Sequence, residues 1–185
     1  MDLYWIPLGA GTRVVQFSGR SYEAIVAGIQ RRERSALFHA ALVAHTDLGS
    51  YAIEMTPVPP QGTPSGRGVV AEGPVGMKWL GRLRLFRYEV RCWKEGVIPD
   101  LGYAVASPIR LTEDAAMTEG LLERLPGVPT FTWGRDEARA GDMWNSNSVV
   151  AWLLAGPGLD RGAGRPPHGG RAPGWDAGQI VAARN

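Results

Sequence analysis

The sequence predicts an α+β fold in which an antiparallel sheet packs against a few helices. Residues 37–44 and 51–55 are two short apolar segments joined by a turn, a pattern typical of paired strands. Residues 78–94 form the longest extended signal, in which apolar and charged side chains alternate. Apolar residues at helical spacing within residues 112–125 and 143–154 predict helices.

Size and composition indicate a single folded domain. A chain of 185 residues suits one domain with a hydrophobic core, and 44% hydrophobic with 21% charged residues is typical of an ordered protein. The net charge of +2 is carried by scattered arginines, which favours neither a nucleic-acid groove nor an anionic membrane surface.

Cysteine content and the N-terminal residues bear on location. The single cysteine, Cys92, excludes an internal disulfide and a cysteine-rich metal site, and it fits a reducing cytoplasm. The start of the chain lacks the basic and apolar regions of a signal peptide, and no later run approaches the ~18 apolar residues of a membrane span. Residues 9–12 do not complete a dinucleotide or phosphate-loop spacing. We therefore expect a cytoplasmic protein without a membrane span, a metal or a cofactor.

The chain divides into a domain and a tail. Residues 1–156 are expected to form the domain, and the Gly/Pro-rich residues 157–185 are expected to be a loop and tail that pack on it. Near the N-terminus, residues 13–17 predict a strand and residues 22–34 predict a helix. Residues 56–67 are rich in Pro and Gly and predict an exposed loop.

The long extended segment contains an irregularity. Its alternation changes phase after Phe86, which predicts a β-bulge near Leu85 and Phe86, because a strand cannot switch faces without one. Cys92 would then face the core, where a thiol is usually inert. Thr112 is expected to open the next helix, which continues to Leu125.

Each strand of the predicted hairpin carries one polar residue that is a candidate for catalysis. His39 interrupts the first apolar segment and Glu54 interrupts the second. Opposite side chains of an antiparallel pair have Cβ atoms about 5 Å apart, so Glu54 would orient the imidazole and stabilise its charged form. The alternative is a buried histidine satisfied by the backbone and a glutamate at a strand edge.

The helix predicted over residues 143–154 is entered through small polar residues that are typical N-caps. Val149, Trp152 and Leu153 follow at helical spacing, and Gly156 ends the helix. Free amides and the macrodipole at such a terminus stabilise developing negative charge, which suits a nucleophile and its oxyanion. The alternative is that the polar residues serve only as caps.

Taken together, these segments resemble the circularly permuted papain-like superfamily, which includes lecithin:retinol acyltransferase-like proteins and bacterial permuted amidases. The resemblance covers residues 36–156 and rests on three short motifs: His39 in Leu-Phe-His-Ala-Ala-Leu, Glu54 in Ala-Ile-Glu-Met-Thr-Pro, and Ser146 in Asn-Ser-Asn-Ser. It implies a permuted papain-like fold with the nucleophile at Ser146, a base at His39 and an orienting acid at Glu54.

The sequence departs from that family at the nucleophile. The family has cysteine where this chain has Ser146, and a serine hydroxyl stays protonated where a thiol would ionise. Three explanations are open: a native serine nucleophile, an inactive site that only binds, or an engineered replacement of cysteine.

Two functions follow from these residues. The first is a hydrolase or acyltransferase acting on an amide, ester or thioester of a small-molecule or peptide acyl substrate, through a Ser146–His39–Glu54 triad. Oxyanion or substrate contacts would come from Asn145, Asn147, Ser148 and Trp144. The second is an inactive papain-like protein that holds an acyl or peptide ligand. The sequence indicates no nucleic-acid partner and does not define the oligomeric state.

Overall fold

The α+β prediction is confirmed. The computed structural model describes residues 1–8, 35–58, 68–98, 100–161, 163 and 165–184, and in these ranges it contains a six-stranded antiparallel sheet and three α-helices. The strands are β1 (Asp2–Pro7), β2 (Phe38–Thr46), β3 (Gly49–Pro57), β4 (Val69–Pro74), β5 (Arg87–Lys94) and β6 (Ile109–Arg110). The helices are α1 (Ala115–Arg124), α2 (Ser146–Ala155) and α3 (Trp175–Ala182). The expected strand at 13–17, the expected helix at 22–34 and residues 59–67 of the expected loop lie outside the described residues.

The strands lie in the order β4-β5-β3-β2-β1-β6. The predicted hairpin is present, since β2 and β3 pair from Leu42 opposite Ile53 to Thr46 opposite Gly49. Along its other edge β2 pairs with β1 over its first six residues. The two strands that carry His39 and Glu54 are therefore central in the sheet.

Both faces of β2 are covered, which explains its almost continuous apolar sequence. Phe38, Ala40, Leu42 and Ala44 lie in the main core together with α2. Ala41, from the opposite face, lies in a smaller buried cluster. Helix α2 is buried from Ser146 to Leu154, as expected for a helix that is apolar on all sides beyond its first turn.

The expectation of one long strand over residues 78–94 is wrong. Lys78–Arg82 and Arg84–Phe86 form 3₁₀ turns, and β5 begins at Arg87. The phase change at Phe86 therefore marks the start of a strand and not a bulge. In the described residues a register shift occurs instead between Val69 and Ala71 of β4.

Two helices also differ from expectation, one in its first residue and one in its presence. Asp114, and not Thr112, is the N-cap of α1, because its carboxylate accepts hydrogen bonds from the amides of Ala116 and Met117. The C-terminal segment expected as loop and tail contains α3, which packs closely on α2. No helix in the described ranges combines the length and the apolar character needed to cross a membrane.

Glycine at position 178 sets the distance between α2 and α3. A Cβ built on Gly178 would lie 2.2 Å from the carbonyl oxygen of Ser148 and 2.8 Å from the Cβ of Ala151. A side chain at this position would therefore force the two helices apart.

We expect Gly178→Ala to lower the free energy of unfolding by about 1 to 3 kcal/mol through overpacking. The matched control is Gly120→Ala in α1, where a Cβ meets nothing within 4 Å. There the helix propensity of alanine should raise stability by about 0.5 to 1 kcal/mol. Urea unfolding of both variants measures the difference, and similar effects of the two substitutions would contradict the proposed close contact.

Candidate active site

The candidate nucleophile lies in the first turn of a well-capped helix. Asn145 is the N-cap of α2, and its side-chain oxygen accepts from the amides of Asn147 and Ser148 at 2.8 and 3.3 Å. In return the Ser148 hydroxyl accepts from the Asn145 amide at 2.9 Å, which completes a capping box. Ser146, the first residue of the helix, is thereby held in place with only 8% of its surface exposed.

The imidazole of His39 reaches this serine. Its Nδ1 lies 2.8 Å from the Ser146 hydroxyl oxygen, although 107 residues separate the two in sequence. This is hydrogen-bond distance for a nucleophile and a general base. The structure thus brings together two of the three residues singled out in the sequence.

A gap in the sheet admits the helix terminus to His39. The pairing of β2 with β3 stops at Leu42 and Ile53, so the start of β2 has no strand on that edge. The side chain of Asn147 occupies the gap: its oxygen accepts from the Ala40 amide at 2.7 Å, and its nitrogen donates to the Phe38 carbonyl at 3.0 Å. The Asn147 carboxamide therefore makes the two backbone hydrogen bonds, one on each side of His39, that a neighbouring strand would otherwise make.

The C-terminal segment completes the same edge. The Arg171 amide donates to the Ala36 carbonyl, and the Arg171 carbonyl accepts from the Phe38 amide, both at 2.8 Å. The Pro173 carbonyl accepts from the side-chain nitrogens of Asn145 and Asn147. Sequence reasoning missed this role because the Gly/Pro-rich composition of the segment indicates a loop and carries no signal of where it docks.

A glycine is required where this segment turns into α3. Gly174 has a φ of 87°, and a Cβ there would lie 2.4 Å from the side-chain oxygen of Asn145. Its carbonyl accepts from the Ser148 hydroxyl at 2.7 Å, and its amide donates to Asp142 at 2.6 Å. The segment is thus joined by hydrogen bonds to the start of α2.

The electrostatic environment keeps His39 neutral. Burial lowers the pKa of His39 to about 4, because the protein atoms around the ring disfavour its charged form. At neutral pH the ring is therefore unprotonated, and Nδ1 is able to accept the proton of the Ser146 hydroxyl.

Glu54 makes no hydrogen bond or ion pair with this pair in the described part of the chain. It lies opposite Arg91 of β5, and its carboxylate is 3.9 Å from the Arg91 guanidinium. His39 lies opposite Ile6 of β1 and shares no hydrogen bond with Glu54. The strands part before reaching His39, so the hairpin does not place the two side chains opposite each other.

Burial is the main influence on the pKa of Glu54. It raises the pKa of the carboxyl, Arg91 opposes the rise, and the charges of Asp100 and Glu89 add to it. Its role as the acid that orients His39 stays a prediction.

The remaining expected site residues are engaged within the protein. The side chains of Asn145, Asn147 and Ser148 bond to the backbone of α2, β2 and the C-terminal segment. Trp144 is 1% exposed and packs edge to face on Phe131, so it belongs to the core and not to a substrate surface. The amides of Asn147 and Ser148 donate to Asn145, whereas in the described residues the Ser146 amide, at the first helical position, has no acceptor and is free to donate to an oxyanion.

A second serine contacts a histidine elsewhere. The Ser50 hydroxyl lies 2.9 Å from Nδ1 of His45, whose Nε2 lies 2.9 Å from the Asp2 carboxylate. The Ser50 amide already donates to the Glu95 carboxylate at 3.0 Å, so it is not available to an oxyanion. These three side chains are connected in the order of a catalytic triad, with an exposed Ser50–His45 contact and a buried Asp2, but the serine amide is already occupied.

Comparison with protein-family models, with curated proteins and with solved structures gave no match. Within the described ranges, no group of three or more His, Cys, Asp or Glu residues is arranged to hold a metal ion. A cavity of about 450 Å³ lies against Arg171, Pro173 and Trp175 of the C-terminal segment, and it touches neither Ser146 nor His39.

Removing the Asn147 carboxamide should destabilise the fold. Asn147→Ala leaves the Ala40 amide and the Phe38 carbonyl without partners, and we expect a loss of at least ~2 kcal/mol in the free energy of unfolding. Asn145→Ser is the control, because serine caps a helix as well as asparagine does and Pro173 keeps its bond to Asn147. Chemical denaturation compares the two, and a larger loss for Asn145→Ser would refute the role given to Asn147.

The depressed pKa of His39 predicts a pH dependence of stability. Between pH 6.5 and about 4 the unfolded chain binds a proton at this position and the folded chain does not, so stability should fall as pH drops through that window. His39→Asn, whose amide replaces Nδ1, should lack this part of the dependence. Denaturation across the window, with an NMR titration of the ring, checks both statements; a ring that titrates near 6.5 would show them to be wrong.

Proposed function

We propose that the protein is an acyl-transfer enzyme, a hydrolase or acyltransferase acting on an amide, ester or thioester. The single observation that carries the proposal is the 2.8 Å contact between the Ser146 hydroxyl and Nδ1 of His39 at the start of α2. Nucleophile, neutral base and helix terminus occur together there, which is the combination that acyl transfer requires.

The proposed reaction has two steps. His39 takes the hydroxyl proton as the Ser146 oxygen attacks the carbonyl carbon. The resulting oxyanion accepts a hydrogen bond from the Ser146 amide and is stabilised by the positive end of the α2 dipole. Protonated His39 then gives its proton to the leaving amine, alcohol or thiol as the bond to it breaks. Water or a second acceptor, deprotonated by the same ring, releases the acyl group from Ser146.

The proposed triad has a carboxylate as its third member. The pKa of about 4 means that the surroundings of His39 stabilise its protonated ring poorly. A carboxylate at Nε2 of His39 would stabilise that charge and so favour catalysis. Glu54 is the residue expected to supply it, from the adjacent strand β3. The permuted papain-like relationship is likewise a proposal that rests on the three sequence motifs.

A non-catalytic binding protein is the second candidate. It is favoured by the low pKa of His39 together with the lack of a hydrogen bond between His39 and Glu54, since such a ring is a weak base and leaves Ser146 protonated. An acyl or peptide ligand would then be held without forming a covalent bond.

A serine-directed fluorophosphonate, read by intact mass and peptide mapping, tests the enzyme. We expect one adduct on Ser146, its loss in Ser146→Ala, and a labelling rate at least ~100-fold lower in His39→Asn. Ser50→Ala is the matched control, because Ser50 also contacts a histidine but lacks a free helix amide. Labelling at Ser50 with none at Ser146 would overturn the proposal.

The same assay decides the role of Glu54. A Glu54→Gln variant that labels as slowly as His39→Asn indicates a triad, whereas one that labels like the unmodified protein indicates a Ser146–His39 dyad. Turnover of a panel of activated esters gives the leaving-group class. Saturable ligand binding without any adduct would favour the binding protein.

A further inference from the structure

The segment over residues 77–85 exposes large apolar side chains. Met77, Trp79, Leu83 and Leu85 are four of the nine exposed large hydrophobic residues among those the structure describes. Trp79 is 66% exposed and Leu85 is 71% exposed. Isolated exposed apolar residues are normal, but four within nine positions form a local concentration that calls for a partner.

The same segment is basic. Lys78, Arg82 and Arg84 lie between the apolar residues and are exposed, and in the described part of the chain none of them has an ion-pair partner. No Asp or Glu occurs from residue 73 to residue 88. The surface therefore combines apolar bulk with positive charge, and we name residues 77–85 the basic apolar turn.

The described acidic residues near this segment form no ion pair with its cations. Asp136 and Glu137 line a cleft with Lys78 and Trp79. The Asp136 carboxylate accepts from the amides of residues 140 and 141, and the Glu137 carboxylate accepts from the amide of Thr132. Both carboxylates therefore make hydrogen bonds to backbone amides and not to the cations of the basic apolar turn.

We propose that the basic apolar turn docks on an anionic lipid surface. This revises locally the expectation from the overall charge pattern, which favours no such surface, because three exposed cations and no carboxylate lie in this short segment. Trp79 would sit at the level of the headgroups, Leu83 and Leu85 would enter the acyl boundary, and the three cations would meet lipid phosphates. This attachment is independent of the acyl-transfer chemistry proposed above, and it concerns a surface contact and not a membrane span.

Other partners fit the side chains less well. A nucleic acid would use aromatic platforms for its bases, and Trp79 is the one aromatic side chain strongly exposed here, beside aliphatic residues that do not stack. A second copy of the chain meeting the same surface would place Lys78, Arg82 and Arg84 against their own like charges.

Co-sedimentation with vesicles tests the attachment. The full chain should bind vesicles of equal parts phosphatidylcholine and phosphatidylglycerol, release them as salt is raised, and bind pure phosphatidylcholine much more weakly. The double variant Trp79→Ser with Leu85→Ser should lower the partition coefficient by roughly tenfold or more. The matched control is Leu48→Ser with Val97→Ser, which removes side chains that are 72% and 77% exposed elsewhere on the surface.

A second pair of variants isolates the charge. Arg82→Gln with Arg84→Gln should abolish most of the preference for anionic vesicles, whereas Arg161→Gln with Arg165→Gln, also exposed, should retain it. Unchanged thermal midpoints show that the variants remain folded. Absence of binding to anionic vesicles, binding that ignores salt and lipid charge, or equal losses in the control pairs would each refute the proposal.

The alternative partners give distinct outcomes in the same set of proteins. Sedimentation velocity that shows self-association abolished by Trp79→Ser with Leu85→Ser, without vesicle binding, would assign the surface to a second copy and overturn the lipid proposal. Binding of a single-stranded oligonucleotide that requires Trp79, again without vesicle binding, would overturn it in favour of nucleic acid.

Discussion

One carboxamide organises the centre of this protein. Asn147 satisfies the Ala40 amide and the Phe38 carbonyl where β3 has turned away from β2, so a side chain of α2 continues the sheet. Without it, two buried backbone groups in the middle of a six-stranded sheet would lose their partners, at a cost of about 1 to 3 kcal/mol each. The start of α2 is therefore fixed relative to β2 by hydrogen bonds as well as by apolar packing.

This arrangement couples the site to the fold. His39 lies between the two peptide groups that Asn147 holds, and Ser146 precedes Asn147 in the helix. The C-terminal segment adds a second set of bonds through Pro173 and Gly174. A serine and a histidine far apart in sequence are thus held at 2.8 Å by contacts that also stabilise the sheet edge.

The His39 site and the basic apolar turn differ in burial. Around His39 it lowers the pKa and keeps the ring uncharged, so that the ring is a ready acceptor but a weak base. In the basic apolar turn the apolar side chains remain exposed to solvent, because the chain forms 3₁₀ turns there and is not part of the sheet. The Leu and Arg residues whose alternation predicts a strand are therefore exposed side by side.

The sequence by itself determined several of the local elements. The apolar segments with a turn between them specify the β2–β3 hairpin, and the polar start of α2 followed by apolar residues specifies a capped, buried helix. Tertiary structure decided what those patterns leave open. The partners of His39 and Glu54, the docking of the C-terminal segment and the course of residues 78–86 depend on contacts between distant parts of the chain. Side-chain periodicity records which face of an element is apolar, but it holds no information about which distant element fills a gap in the sheet.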